Sequence, residues 1–107
     1  MRIEPHAAVL ADDLPGIYAF IARDNPAAAE KVLDAVDATF EQLARQPECG
    51  VIYPTRNPQL KDVRMLPVNG FPNYLVFYRI EAEAVRVLYV LHGARHLARL
   101  FRREPRA

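Results

Sequence analysis

A single cysteine, Cys49, stands among the 107 residues, so no disulfide within the chain can brace its fold. That suits a reducing compartment. No apolar run approaches the roughly 20 residues that cross a bilayer, and the start, MRIEPHAAVLADDL, has no long apolar core behind a basic segment. A cytoplasmic protein with no membrane contact is expected. Internal repeats and low-complexity tracts are missing too, so residues 1–107 read as one domain. With 51% hydrophobic and 25% charged residues, the composition is that of a folded globular chain able to bury a modest core.

What is present centres on residues 73–95, NYLVFYRIEAEAVRVLYVLHGAR. Two aromatic and branched runs, Tyr74–Ile80 and Val85–His92, are joined by a connection too short for anything but an antiparallel hairpin. Both runs are apolar on both pleat faces, which predicts central strands covered by helices on at least one side. The polar interruptions Tyr78, Arg79, Arg86, His92 and Arg95 then need a reason. A strand ending in His-Gly-Ala-Arg sets cations at the rim of a rigid sheet, where sites are often built.

Upstream, Arg2-Ile3-Glu4-Pro5 fits an edge strand bounded by proline. Leu10, Leu14, Ile17, Phe20 and Ile21 recur at helical spacing and predict one buried stripe. Pro15-Gly16 inside it implies either a kink or a start capped by Asp12 or Asp13. Asn25 and Pro26 open a second helix whose stripe is Ala29, Val32, Leu33, Val36, Phe40 and Leu43, and Pro47 and Gly50 stop it. Residues 47–59 read as an irregular loop, Leu60–Val68 as a strand with an edge or bulge at Pro67, and Asn69–Asn73 as a turn. After Gly93, Ala94–Phe101 reads as a short helix and Arg102–Arg106 as a frayed basic tail. The expected fold is α+β: an antiparallel β-sheet, an N-terminal αα-hairpin packed on one face, and a short C-terminal helix.

Charge is divided along the chain. Residues 1–55 hold four Lys/Arg against nine Asp/Glu, whereas residues 56–107 hold ten against four, nine of the ten being arginine. An arginine-rich sheet half suits an anionic partner through paired hydrogen bonds, and equally suits attraction between the two halves of the chain.

Several local patterns coincide: Asp13-Leu14 with Ile17-Tyr18 and Phe20-Ile21; Asn25-Pro26-Ala27-Ala28-Ala29; Leu43-Ala44-Arg45-Gln46-Pro47 with Gly50; Val63 to Val68; Phe71 to Arg79; and Val90-Leu91-His92-Gly93-Ala94-Arg95. In that order they resemble the RelE/ParE superfamily of toxins from bacterial type II toxin–antitoxin pairs, over nearly the whole chain. The resemblance implies the fold just described, no cofactor, and a cognate antitoxin as partner in a toxin–antitoxin hetero-oligomer. ParE-like members bind DNA gyrase; RelE-like members cut messenger RNA on the ribosome.

Metal-independent RNA cleavage needs a proton acceptor, a proton donor and cations at the phosphate. His92, Arg95, Arg79 and Arg64 are the candidates for it. The RelE-like pattern also wants a tyrosine six residues after the arginine matched by Arg95, where this chain has Phe101, and an arginine early in the strand where it has Tyr74 and Leu75. A ParE-like, non-enzymatic gyrase inhibitor is therefore the favoured reading, with the ribonuclease and a non-toxic antitoxin-binding member as alternatives. Arg64, Tyr78, Arg79, Arg95 and Phe101 are the expected contacts with target or antitoxin. His92 and His96 have a zinc-like spacing but no third ligand, so no metal is read. Arg64 and Arg79 can also pair with Asp62, Glu81 or Glu83, Tyr78 can also be a core residue, and Cys49 lacks an adjacent base.

Overall fold

The computed structural model describes residues 1–97 and 105–106. Its elements, in chain order, are β1 (Arg2–Pro5), a π-turn (Val9–Asp13), α1 (Leu14–Ala22), α2 (Pro26–Arg45), a 3₁₀ turn (Pro47–Cys49), β2 (Val51–Ile52), a 3₁₀ turn (Pro58–Leu60), β3 (Arg64–Val68), β4 (Phe71–Ile80), β5 (Ala84–His92) and α3 (Gly93–His96). One sheet forms in the order β1-β5-β4-β3-β2. Strands β2 to β5 run antiparallel, and β1 joins the edge parallel to β5. The parallel edge departs from the all-antiparallel expectation because the helical hairpin carries the chain across the sheet between β1 and the other strands.

The central hairpin forms as its sequence dictates, with one irregularity. Phe77 pairs with Tyr89 and Tyr78 with Val87, so Leu88 is the extra residue of a bulge. Alternation breaks there: Val85, Val87 and Val90 face the helices, while Leu88 and Leu91 join the opposite face. Pro67 also sits at a register shift, as its missing N–H suggests, although β2 lies outside β3 and takes the edge.

Asn25 and Pro26 open α2 as expected, the Asn25 side chain accepting the Ala28 N–H at 3.1 Å. Ala29, Val32, Val36 and Leu43 bury its stripe against the sheet, each larger side chain contributing about 1.5–3 kcal/mol. Thr39, absent from the expected stripe, is fully buried. Its hydroxyl donates to the Ala35 carbonyl and accepts the Asn69 N–H, tying α2 to the β3–β4 turn, where Gly70 takes φ +79°.

The first helical segment corrects its expected stripe. Leu14 donates its N–H to the Val9 carbonyl, closing a π-turn, and the inward line steps by five from Val9 to Leu14 before continuing to Ile17 and Ile21. Leu10 and Phe20 are therefore 57% and 51% exposed rather than buried. Pro15 sits in the first turn of α1, where its missing N–H costs nothing. Asp13 makes no capping bond; its carboxylate is used elsewhere.

The second sheet face has its own core. Tyr53, Leu60 and Val63 from the segment after β2 pack on Phe77, Leu88 and Leu91, with Tyr53 edge-on to Phe77 at 5.3 Å. The stretch read as an irregular loop is thus a cover for the sheet, and it contains β2. Leu100 and Phe101 of the expected C-terminal helix, and residues 102–104 of the tail, lie outside the described residues.

Candidate functional site

The rim expected from His-Gly-Ala-Arg lies where β5 hands over to α3. His92 ends the strand in extended backbone, and its Nδ1 accepts the Arg95 N–H at 3.3 Å, capping α3. Its ring stands edge-on to Tyr74, its cross-strand partner, with centroids 5.2 Å apart. Burial lowers the His92 pKa below its ordinary value, and the positive charge of Arg95 lowers it further. A neutral imidazole with one nitrogen committed as acceptor is a good cap and a weakened base.

Arg95 itself is exposed. Its guanidinium lies 3.7 Å from the centroid of the Phe20 ring and donates to the Tyr74 hydroxyl at 3.3 Å. Phe20 is on the surface because the π-turn put it there, so the first helix supplies a platform that holds this arginine over the rim. Beside it runs a cleft of about 840 Å³ between α1 and the end of β5, lined among others by Gly16, Ile17, Phe20, His92 and Arg95.

The far wall is closed by a pair the sequence did not announce. Arg106 meets Asp13 with two bonds, at 2.6 and 3.0 Å, and donates to the Leu88 carbonyl at 3.0 Å. Its own N–H goes to the Tyr89 hydroxyl at 2.8 Å, and its guanidinium lies 4.5 Å from the Tyr89 ring centroid. Arg106 was expected in a frayed tail; instead it is anchored. The discomfort of Pro15-Gly16 within a helical pattern was the one available signal that Asp13 sits at an irregular turn.

The other expected residues do not join this rim. Arg64 donates to the carbonyls of Gly50 and Glu48 at 2.9 and 3.3 Å, and Arg79 to those of Gln59 and Lys61 at 2.8 and 3.4 Å. Each directs one guanidinium nitrogen to a loop backbone, not to the carboxylates of Asp62, Glu81 or Glu83. Both lie four to five residues along β4 from Tyr74, about 13–17 Å at roughly 3.3 Å per residue. They also sit on opposite faces: Arg64 pairs across from Tyr78, whose side chain is in the helix-side core, while Arg79 follows it on the loop side. A shared phosphate clamp of Arg64, Arg79 and Arg95 with His92 is not assembled.

Of the two readings open for Tyr78, the structure bears out core and corrects partner contact. It is fully buried, donating to the Pro47 carbonyl at 2.7 Å and accepting the Gly50 N–H at 2.9 Å. Burial pushes its hydroxyl pKa up, so it stays a neutral staple between the sheet and the turn after α2. Phe101 lies outside the described residues. Among the described residues no three His, Cys, Asp or Glu side chains converge as metal ligands do, and no helix is long and apolar enough to cross a membrane.

A two-helix hairpin laid on a mixed five-stranded sheet, with a capped cationic rim, defines a small α+β domain. The family model described as ParE toxin of type II toxin-antitoxin system, parDE, matches residues 6–97. The chain belongs to that family. Among solved structures it is similar to one titled as the chromosomal ParDE TA system from P. aeruginosa, with a TM-score of 0.67 and 19% identity over 86% of this chain and 95% of that one. At that identity the likeness shows the fold. Comparison with curated proteins found no match.

Proposed function

We propose that this ParE-family toxin is held inactive by a cognate antitoxin in a cytoplasmic hetero-oligomer, and that when free it inhibits DNA gyrase by binding, without acting as an enzyme. The observation that carries the choice of mechanism is the separation of the cations. RNA cleavage needs an acid, a base and a charge clamp within hydrogen-bond reach of one phosphate. Arg64 and Arg79 each reach a loop carbonyl through one guanidinium nitrogen, at the far end of β4 and on opposite faces of the sheet. What remains at the rim is Arg95, presented over Phe20 beside a histidine of lowered basicity. That arrangement suits docking on a macromolecule through one guanidinium and its aromatic platform.

The test is expression without antitoxin, followed by a supercoiling assay with purified gyrase. Filamentation with DNA-damage signalling and blocked supercoiling is expected. Abrupt loss of translation with cut transcripts would instead support a ribosome-dependent ribonuclease, which the adjacency of His92 and Arg95 keeps as the second reading. Harmless expression of folded protein would point to a family member retaining only antitoxin binding. On the favoured reading His92→Ala leaves growth inhibition largely intact, and complete detoxification of a folded His92→Ala protein would reverse the choice.

A further inference from the structure

The two edges of the sheet are finished differently. β1 closes one edge with Pro5, which has no N–H to offer, and with Arg2 and Glu4 joined by an ion pair at 2.6 Å. Proline and charge are devices that keep a sheet edge from pairing with another chain. β2 closes the other edge with Val51 and Ile52, which are 60% and 53% exposed. It contains neither device.

Backbone geometry fixes what this edge offers. Val51 and Ile52 lie opposite Met65 and Arg64, and the Tyr53 N–H continues the ladder to the Val63 carbonyl at 2.8 Å. Bonded and non-bonded pairs alternate along an antiparallel ladder, so the Ile52 N–H and carbonyl point away from β3, out of the sheet edge. The next outward positions add nothing: Gly50 gives its N–H to the Tyr78 hydroxyl and its carbonyl to Arg64, and Pro54 has no N–H. A single residue with both groups outward is self-complementary about a two-fold axis, each copy's N–H meeting the other's carbonyl. With Ile52 on that axis, each position faces the one equally far beyond it, so Glu48 faces the second copy's Arg56, and the reverse. Both residues are exposed, neither has an ion pair among the described residues, and residues 49–55 between them carry no charge.

We infer that the outer edge of β2 is a self-association surface, filled by a second copy of this chain that pairs antiparallel about Ile52, with Glu48 and Arg56 forming reciprocal ion pairs. Once both copies have used this edge, only the two blunted β1 edges remain, so assembly stops at a dimer. β2 lies three strands from β5 in the sheet, so the rim with Arg95 and the cleft beside it stay open in each copy. The inference stands independently of the toxin reading. Two backbone bonds, a short apolar contact and exposed ion pairs make a weak dimer, with a Kd on the order of 100 µM.

Sedimentation equilibrium of the purified chain, without antitoxin, from about 10 µM to about 1 mM brackets that Kd. The wild type is expected to pass from mostly monomer to mostly dimer, and a monomer throughout overturns the inference. Ile52→Lys changes an exposed side chain and sets two cations against each other on the axis, which should weaken the dimer by about tenfold or more. Undiminished dimerisation of Ile52→Lys places the contact elsewhere and overturns the edge. The charge swap tests the register on two exposed residues: Glu48→Arg should weaken the dimer, and Glu48→Arg/Arg56→Glu should restore it to within about threefold of wild type. A double variant as weak as the single one overturns the pairing.

Discussion

The two ends of β4 hold arginine in opposite ways. Where β4 leaves the sheet, Arg64 and Arg79 reach across to carbonyls of Gly50, Glu48, Gln59 and Lys61, and they work as struts for the segments that cover the sheet. Where β4 enters, Arg95 rests on the face of Phe20, takes one hydroxyl partner from Tyr74, and remains exposed. Each of the three engages one guanidinium nitrogen, so the difference lies in the partner and in exposure: loop carbonyls for the half-buried Arg64 and Arg79, an aromatic face and a hydroxyl for the exposed Arg95. Charge along a sequence counts arginines; it does not say what each one meets in the fold.

The strut end should be the more fragile in stability. A Cβ at Gly50 would lie 2.5 Å from the Tyr78 hydroxyl and 2.9 Å from the Met65 carbonyl, contacts that neither a core tyrosine nor a strand backbone can relieve cheaply. Gly50→Ala is expected to cost about 3 kcal/mol through overpacking and a displaced hydrogen bond, read as a lower midpoint in urea unfolding. A midpoint within experimental error of wild type would show that this end is loosely packed.

Next in size is the pair that closes the cleft. Arg106→Ala leaves the partly buried Asp13 carboxylate without its cation and should cost about 2 kcal/mol, below the figure for a fully buried pair because both partners keep some solvent. Thermal unfolding of the single variants and of Asp13→Asn/Arg106→Ala measures the coupling, and simple additivity would deny the pair.

The comparison is sharpest between two alanine variants. Arg64→Ala is expected to lower stability by about 1–2 kcal/mol, since two charge-assisted bonds to carbonyls are lost, yet to leave growth inhibition unchanged once the protein is folded. Arg95→Ala should cost under about 1 kcal/mol, the value of an exposed cation–π contact, and on the proposed gyrase reading should weaken inhibition in the supercoiling assay. The reverse pattern would mean that the functional arginine had been assigned to the wrong end.

The smallest effect concerns pH. Because burial, then Arg95, depresses the His92 pKa in the folded protein, its contribution to stability is intact above the unfolded value of about 6.5 and is lost as pH falls through the folded value. His92→Asn keeps a capping acceptor but removes the titration, so its stability should fall less between pH 7 and pH 5 than that of the wild type. Parallel pH profiles would remove His92 from the account.

Much of the fold was legible because it rests on local rules. Asn25-Pro26 opened α2, the paired apolar runs made the central hairpin, and Pro67 marked an irregular register. The candidate site was only partly legible. His-Gly-Ala-Arg pointed to the right rim, but Phe20 looked like core because a regular helix was assumed where a π-turn inserts a residue. Tyr78 could be read as a contact or as core because nothing near it in sequence reveals Gly50 and Pro47 as its partners, 28 and 31 residues away. The pairing of Asp13 with Arg106, 93 positions apart, left no pattern, although Pro15-Gly16 marked the turn at Asp13.

Sequence alone determined the elements, their order and the family pattern, since helical spacing, strand alternation and turn chemistry act between residues a few places apart. Tertiary structure alone decided what each arginine meets, where Asp13 finds Arg106, and which aromatic is platform rather than core. Those outcomes depend on hydrogen bonds and burial between distant segments, and such contacts exist only after the chain has closed on itself.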